Sequence, residues 1–369
     1  MKIVSLCVIA HFCARSLLAA IPQSHYGTVD DASPELQIPA GTRPLIDYWM
    51  RDTFVTLGSD GSYYLTGTTA APDRQFDEKG PHCWDWNDGI YLWRSTDLKT
   101  WEALGCVWSL DQDATWQKKF AKHKPARNPM GFMLDAKRRA VWAPELHYIK
   151  SATNWFMVAC MNDSASQKGS FILRSTSGRA EGPYENISGN ASGPIFEGID
   201  GSLFEDDDGT VWFVGHNHFY AKMKADMSGF AGKLETFSET RYSPEPYLEG
   251  AYVFKSGGKY HLLQAVWSFK LPDGTFTHDE TASSRGAIRW SYDCIVATAD
   301  HFPGPYGPRY TAGAGIGHNN FFQDKAGNWW ATMFGNPRGS AEFKQSFLCR
   351  PTIVPLRYVN GEFKIRHEP

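Results

Sequence analysis

With 369 residues the chain is long enough for one large all-β domain or two ordinary ones. Its 37 basic and 40 acidic residues are interspersed without a basic run or stripe, which argues against nucleic acid or an anionic membrane surface as partner. The 34 Gly and 21 Pro are spread along the chain as an all-β protein with many hairpins needs, and nothing in the composition signals a protein partner.

In chain order, the first 20 residues, MKIVSLCVIAHFCARSLLAA, read as a secretory signal peptide. Lys2 is its positive end, Ile3 to Ala10 its apolar core and Ala19-Ala20 its small-residue end. The expected location is therefore secreted or periplasmic. His11 and Arg15 interrupt the stretch, so it is too short and too polar to span a bilayer, and no later segment is apolar enough for membrane insertion. Beyond it remain Cys83, Cys106, Cys160, Cys294 and Cys349, an odd number with no CxxC, which disfavours zinc and redox readings. Cys83 and Cys106 flank one variable region, where a bridge is open. Cys160 lies in an apolar strand and is expected to be buried.

From residue 52 onward one unit recurs. Asp52, Glu145, Asp200, Glu249 and His318 each lie nine residues before the second residue of a predicted tight turn. After each turn comes an aromatic-rich strand: SYYLTGT, WFMVACM, TVWFVG, KYHLLQA and NWWATMFGN. Strand, turn, strand at irregular spacing is the signature of a propeller blade, so the expected fold is an all-β five-bladed β-propeller spanning 21–369. Its blades start near 52, 142, 199, 248 and 317. Five innermost strands would point five ionisable side chains into one axial pocket, the raw material of acid/base chemistry. The bland alternative is that strand starts are polar because they abut loops.

Two insertions interrupt the repeat, Ala70 to Gly89 and Leu110 to Ala140. Long insertions on one face of a propeller usually build its binding site. They carry Trp84, Trp86 and Trp116, each of which could stack on a sugar or pack the insertion down. Arg285 is a further candidate for the pocket. Asp206-Asp207-Asp208 lacks the alternating ligands and closing Glu of a calcium loop and is read as a hairpin turn.

These pieces resemble glycoside hydrolase family 43, over nearly the whole chain beyond the leader. The resemblance rests on Arg51-Asp52-Thr53 leading into DGSYYLTGT, on Trp142-Ala-Pro-Glu-Leu and on Ile199-Asp-Gly-Ser-Leu-Phe-Glu-Asp-Asp-Asp-Gly. Glu249-Gly-Ala and Gly317-His-Asn-Asn-Phe complete it, in this order and in register with the repeat. It implies five blades and an inverting glycosidase, with Asp52 as general base, Asp200 as the carboxyl that tunes proton affinity and orientation, and Glu249 as general acid. It implies no obligatory cofactor and leaves room for a structural calcium ion on the axis beside His318. Thr53, Gly201 and Ala251 depart from the commoner Asp-Pro, Asp-Pro-Ser and Glu-Gly-Pro, which marks a divergent member and leaves the sugar open.

Glycoside cleavage needs a proton for the leaving oxygen and a nucleophile at the anomeric carbon. Asp200 near Glu249 favours a protonated acid, since two like charges in one pocket resist both ionising. Glu145 either hydrogen-bonds sugar hydroxyls or ties strands together. The expected substrate is a plant or algal polysaccharide or oligosaccharide, of the kind cut by arabinofuranosidases and xylosidases. Two other readings compete, a non-catalytic carbohydrate-binding propeller and a retaining, fructan-type five-bladed glycosidase. Gly250 after Glu249 and the motif order argue against the retaining one.

Overall fold

The computed structural model describes residues 41–69, 87–120, 141–162, 168–242, 245–334 and 350–366. The leader, Trp84, Trp86, Cys83 and most of both insertions lie outside the described residues. Among those described, no helix is long and apolar enough to cross a membrane.

The strands form five antiparallel sheets in chain order. Blade one is β2 (Met50–Leu57), β3 (Tyr63–Thr69), β4 (Gly89–Ser95) and β5 (Glu102–Ser109), and blade two is β6 (Val141–Ile149), β7 (Asn154–Asn162), β8 (Lys168–Ser175) and β9 (Tyr184–Asn186). Blade three is β10 (Gly201–Glu205), β11 (Val211–Gly215), β12 (Phe219–Lys222) and β13 (Glu235–Thr236). Blade four holds β14 (Leu248–Ser256), β15 (Lys259–Lys270), the short β16 (Phe276–Thr277), β17 (Ile288–Ala299) and β18 (Tyr310–Gly313). Blade five is β19 (Phe321–Gln323), β20 (Trp329–Met333) and β21 (Thr352–Val359), with β22 (Glu362–Ile365) and the N-terminal β1 (Arg43–Pro44) both added to β21.

A sheet with two apolar faces must cover both. Here each blade covers its neighbour's face, and every interface has its own core. Tyr64, Trp108, Leu146 and Phe171 join blades one and two. Phe156, Val158 and Phe213 join two and three, and Val214, Val253 and Leu262 join three and four. Phe254, Val296 and Phe321 join four and five, while Met50, Trp93, Phe322 and Trp330 join five back to one, which closes the ring. Most of the tryptophans described serve these interfaces. The closure is also polar. Asn320 Nδ2 donates to the Val55 carbonyl at 2.8 Å while its Oδ1 accepts the Val55 N–H at 3.1 Å, so one side chain mimics a strand across the seam.

The repeat has a register finer than its spacing. Asp52, Ala143, Asp200, Gly250 and His318 all take positive φ, between 45° and 64°. In blades one, two and four this residue sits in a β-bulge, where the ladder shifts between Arg51 and Phe54, Trp142 and Glu145, and Glu249 and Tyr252. Counting back nine residues from the turn lands on the positive-φ residue in blades one, three and five. In blade two it lands two residues past it, on Glu145, and in blade four one residue short of it, on Glu249. Hairpins of unequal length cause the slip. A bulge at an inner strand re-aims side chains toward the axis, and a left-handed non-glycine costs about 1–3 kcal/mol, a strain typical of functional sites.

Candidate active site

The bulges bring the expected ring together. Asp52 Oδ1 lies 3.2 Å from His318 Nδ1, and Thr68 Oγ1 donates to Asp52 Oδ2 at 2.6 Å. The same Thr68 oxygen accepts the Ala143 N–H at 2.7 Å, so blade two holds the residue that holds Asp52. Asp200 is only 5% exposed, and its Oδ2 accepts the Gly250 N–H at 3.1 Å. The hydroxyl of Tyr292 donates to Glu249 Oε1, and Tyr247 hydrogen-bonds the same carboxylate. Glu145 Oε2 meets His147 Nε2 at 2.8 Å.

Electrostatics tie these groups into one site. Burial opposes charge on His318, but Asp52, Asp200, Glu249 and Glu145 outweigh it and hold its pKa above the ordinary 6.5. All four carboxylates therefore act on one imidazole, and Asp52 is in contact with it. Burial drives the Asp200 carboxyl up from 3.8 to about 7; His318 pulls it down, and Glu249 and Asp52 push it further up. Asp200 therefore holds its proton to much higher pH than an ordinary aspartate. This keeps the pocket's charge down while Asp52 and Glu249 stand close by.

Gly250 is the piece that fits the ring together. Its φ is +64°, and a Cβ there would lie 2.9 Å from His318 Cδ2. Gly250→Ala is therefore expected to cost about 1–3 kcal/mol in backbone strain and to push His318 off Asp52. Chemical denaturation alongside activity checks it, with both quantities falling.

Other expected residues sit elsewhere. Trp116 is in the core of blades one and two, not over the pocket: it is 4% exposed, lies edge-on to Phe171 with centroids 5.9 Å apart, and its Nε1 donates to the Asn190 carbonyl at 2.8 Å. The 3-10 turn Trp116–Phe120 tucks the indole inward before the insertion departs. Trp116→Ala should cost about 3–5 kcal/mol in thermal or urea unfolding and leave KM within about twofold. Arg285 ends an exposed 3-10 helix, Glu280–Arg285, and pairs with Asp279 at 2.9 Å. Cys106 is a free thiol. For an axial cation, no three or more His, Cys, Asp and Glu side chains among the described residues are placed to hold a metal, and His318 Nδ1 is taken up by Asp52.

Tyr247, Tyr292, Thr68 and His147 were not foreseen. Thr68 ends the DGSYYLTGT segment, but nothing local marks its contact. Thr68 and Tyr292 reach the site from the second and third strands of their blades, Tyr247 from the loop before β14 and His147 from β6, and only the folded register reveals them.

The model of glycosyl hydrolases family 43 matches residues 41–352. A β-D-galactofuranosidase of Aspergillus niger is 28% identical over 208 residues, 50% of this chain and 53% of that one. A putative β-xylosidase of Escherichia coli is 24% identical over 263 residues, 67% of this chain and 43% of that one. The chain thus spans about half the length of these relatives. Among solved structures, a thermostable family-43 glycoside hydrolase superposes with a TM-score of 0.55 at 18% identity, covering 90% of this chain and 96% of that one. An exo-1,5-α-L-arabinanase from a bovine ruminal metagenomic library superposes at 0.56 and 15% identity, covering 86% and 97%. With a five-bladed ring, carboxylates converging on one imidazole and a family match over most of its length, the chain belongs to glycosyl hydrolases family 43.

Proposed function

We propose that the protein is an exported glycoside hydrolase that cleaves pentose- or galactofuranose-type glycosidic bonds of plant or algal polysaccharide with inversion. The observation that carries the reading is the convergence of Asp52, Asp200 and Glu249 around His318. Asp52, oriented by Thr68 and His318, draws a proton from water. Glu249, held by Tyr292 and Tyr247, gives its proton to the leaving oxygen. Asp52 and Glu249 come from blades one and four, which are not neighbours in the ring. This supports a gap wide enough for a water, as inversion needs. Asp200, pushed up by burial and by Glu249, shares the pocket with that carboxyl so that the two resist ionising together, which favours a protonated Glu249. Acid, base and water suffice for the reaction, so no cofactor is invoked. The substrate class rests on relatives named for xylosidase, arabinanase and galactofuranosidase activities. Export rests on the leader-like first 20 residues.

The test is hydrolysis of aryl α-L-arabinofuranosides, β-D-xylosides and β-D-galactofuranosides and of the matching polysaccharides, with proton NMR of the first-formed anomer. An inverted anomer supports the reading, and a retained one moves it to the fructan-type mechanism. Binding without turnover on every substrate would leave a sugar-binding propeller.

A further inference from the structure

Blade four has a second cleft that the chemistry above does not use. On β17, Tyr292 and Asp293 are successive residues, so their side chains leave opposite faces of the sheet. Tyr292 turns to Glu249, and Asp293 turns away into a cavity of about 340 Å³ that also borders Ser268, Phe276, His278, Trp290 and Ser291. A second cavity of about 320 Å³, reaching Tyr242 and Arg309, adjoins it and shares Thr277, His278 and Thr311. Each is of a size found for small-ligand pockets.

The cleft is built by two irregularities of the sheet. The ladder between β15 and β17 passes from Ser268–Ser291 to Phe269–Arg289, which leaves Trp290 unopposed. The ladder between β17 and β18 passes from Cys294–Gly313 to Ile295–Thr311, which leaves Ala312 unopposed. Bulges of this kind re-aim side chains, and here Trp290 joins Ser291 and Asp293 along the same cavity wall. Strand β16 then pairs with the end of β15 and brings Phe276 to 5.9 Å from Trp290, with its ring 48% exposed. Along the floor runs a polar chain. Ser268 and Ser291 hydroxyls meet at 2.6 Å, and Ser291 donates to Asp293 Oδ1 at 2.6 Å. His278 Nε2 reaches Asp293 Oδ2 at 3.1 Å.

We infer that this cleft is a second carbohydrate-binding site, which holds a neutral polysaccharide chain beside the catalytic pocket. The ligand class rests on the glycosidase reading above. Aromatic faces over a row of hydroxyls suit a ring with one apolar face and a hydroxylated edge. The carboxylate, with 7% side-chain exposure, accepts from hydroxyls and repels anions such as nucleotides. The cleft opens at the end of blade four that carries Glu249, on the other side of the same sheet. A polymer anchored there is held at high local concentration near the acid, which small glycosides cannot exploit.

The experiment uses the full chain with Glu249→Gln to stop turnover. Retention on arabinan, arabinoxylan and xylan is measured by affinity electrophoresis, with and without Phe276→Ala or Trp290→Ala. Each is expected to weaken retention on the bound polymer about 10-fold. In the active protein each should raise KM for that polymer similarly and leave kcat/KM on the aryl glycoside within twofold. Phe276→Ala, a surface change, guards against misfolding of the Trp290 variant. Retention unchanged by either substitution, or no retention of any of the polymers, overturns the inference. Absent aryl-glycoside turnover overturns the glycosidase reading instead, and loss of retention in the variants would still support the cleft.

Discussion

Glu249→Gln and Asp52→Asn should each lower kcat/KM on glycosides with poor leaving groups by about 10²- to 10⁴-fold, the usual contribution of one positioned acid or base. The two losses should differ in kind. Glu249 protonates the departing oxygen, so a substrate whose phenol leaves without help should recover much of the lost rate in Glu249→Gln. Asp52 activates water, a task no leaving group relieves, so Asp52→Asn should stay slow on every substrate. Kinetics on a series of aryl glycosides of rising phenol acidity would read this directly. Equal losses across the series for both variants would remove Glu249 from its role. Loss of neither would remove both. Thermal transitions should move little in Asp52→Asn, because Thr68 can still donate to the amide oxygen that replaces Asp52 Oδ2.

The ring was legible because one constraint repeats. Every blade sets one positive-φ residue near the start of its innermost strand and turns about nine residues later, so polar residues at that offset stand out in Asp52, Asp200 and His318. The same count found Glu145 and Glu249 only through a slip in register. Glu145 follows its bulge by two residues, and Glu249 precedes its own by one. They face the axis because the pocket has depth, with side chains entering at more than one level. What was not legible depends on which strand faces which. Tyr292 lies on the third strand out from the axis and reaches Glu249 across β15, and Thr68 serves two blades at once. No local spacing encodes such contacts. Trp116 shows the converse. A tryptophan in an insertion invites a sugar-stacking role, yet here the first turn of the insertion closes the core between blades one and two.

Asp200→Asn should abolish most activity and make the protein more stable at pH 8. The sign follows from proton binding. The folded chain holds the Asp200 proton up to about 7, whereas the unfolded chain releases it near 3.8. Between those values the folded state binds more protons, so stability falls as pH rises. The contribution is fully present below 3.8 and lost as pH passes about 7. At 1.36 kcal/mol per pH unit, that rise corresponds to roughly 4 kcal/mol. His318 loses one of its partners in the variant, so the net gain expected at pH 8 is on the order of 2 kcal/mol. Asparagine has the same shape, needs no charge and can still accept the Gly250 N–H. Unfolding of wild type and Asp200→Asn from pH 4 to pH 9 should give curves that meet near pH 4, separate as pH rises to about 7 and stay apart above it, the variant uppermost. Parallel curves would mean that Asp200 titrates near its ordinary value in the fold. Activity should fall at least 10²-fold at every pH, because an amide can neither exchange the proton nor share charge with Glu249. A site that gathers three carboxylates in one buried pocket is held together against its own repulsion. The bulges that aim them there and the imidazole between them are what that repulsion must be set against.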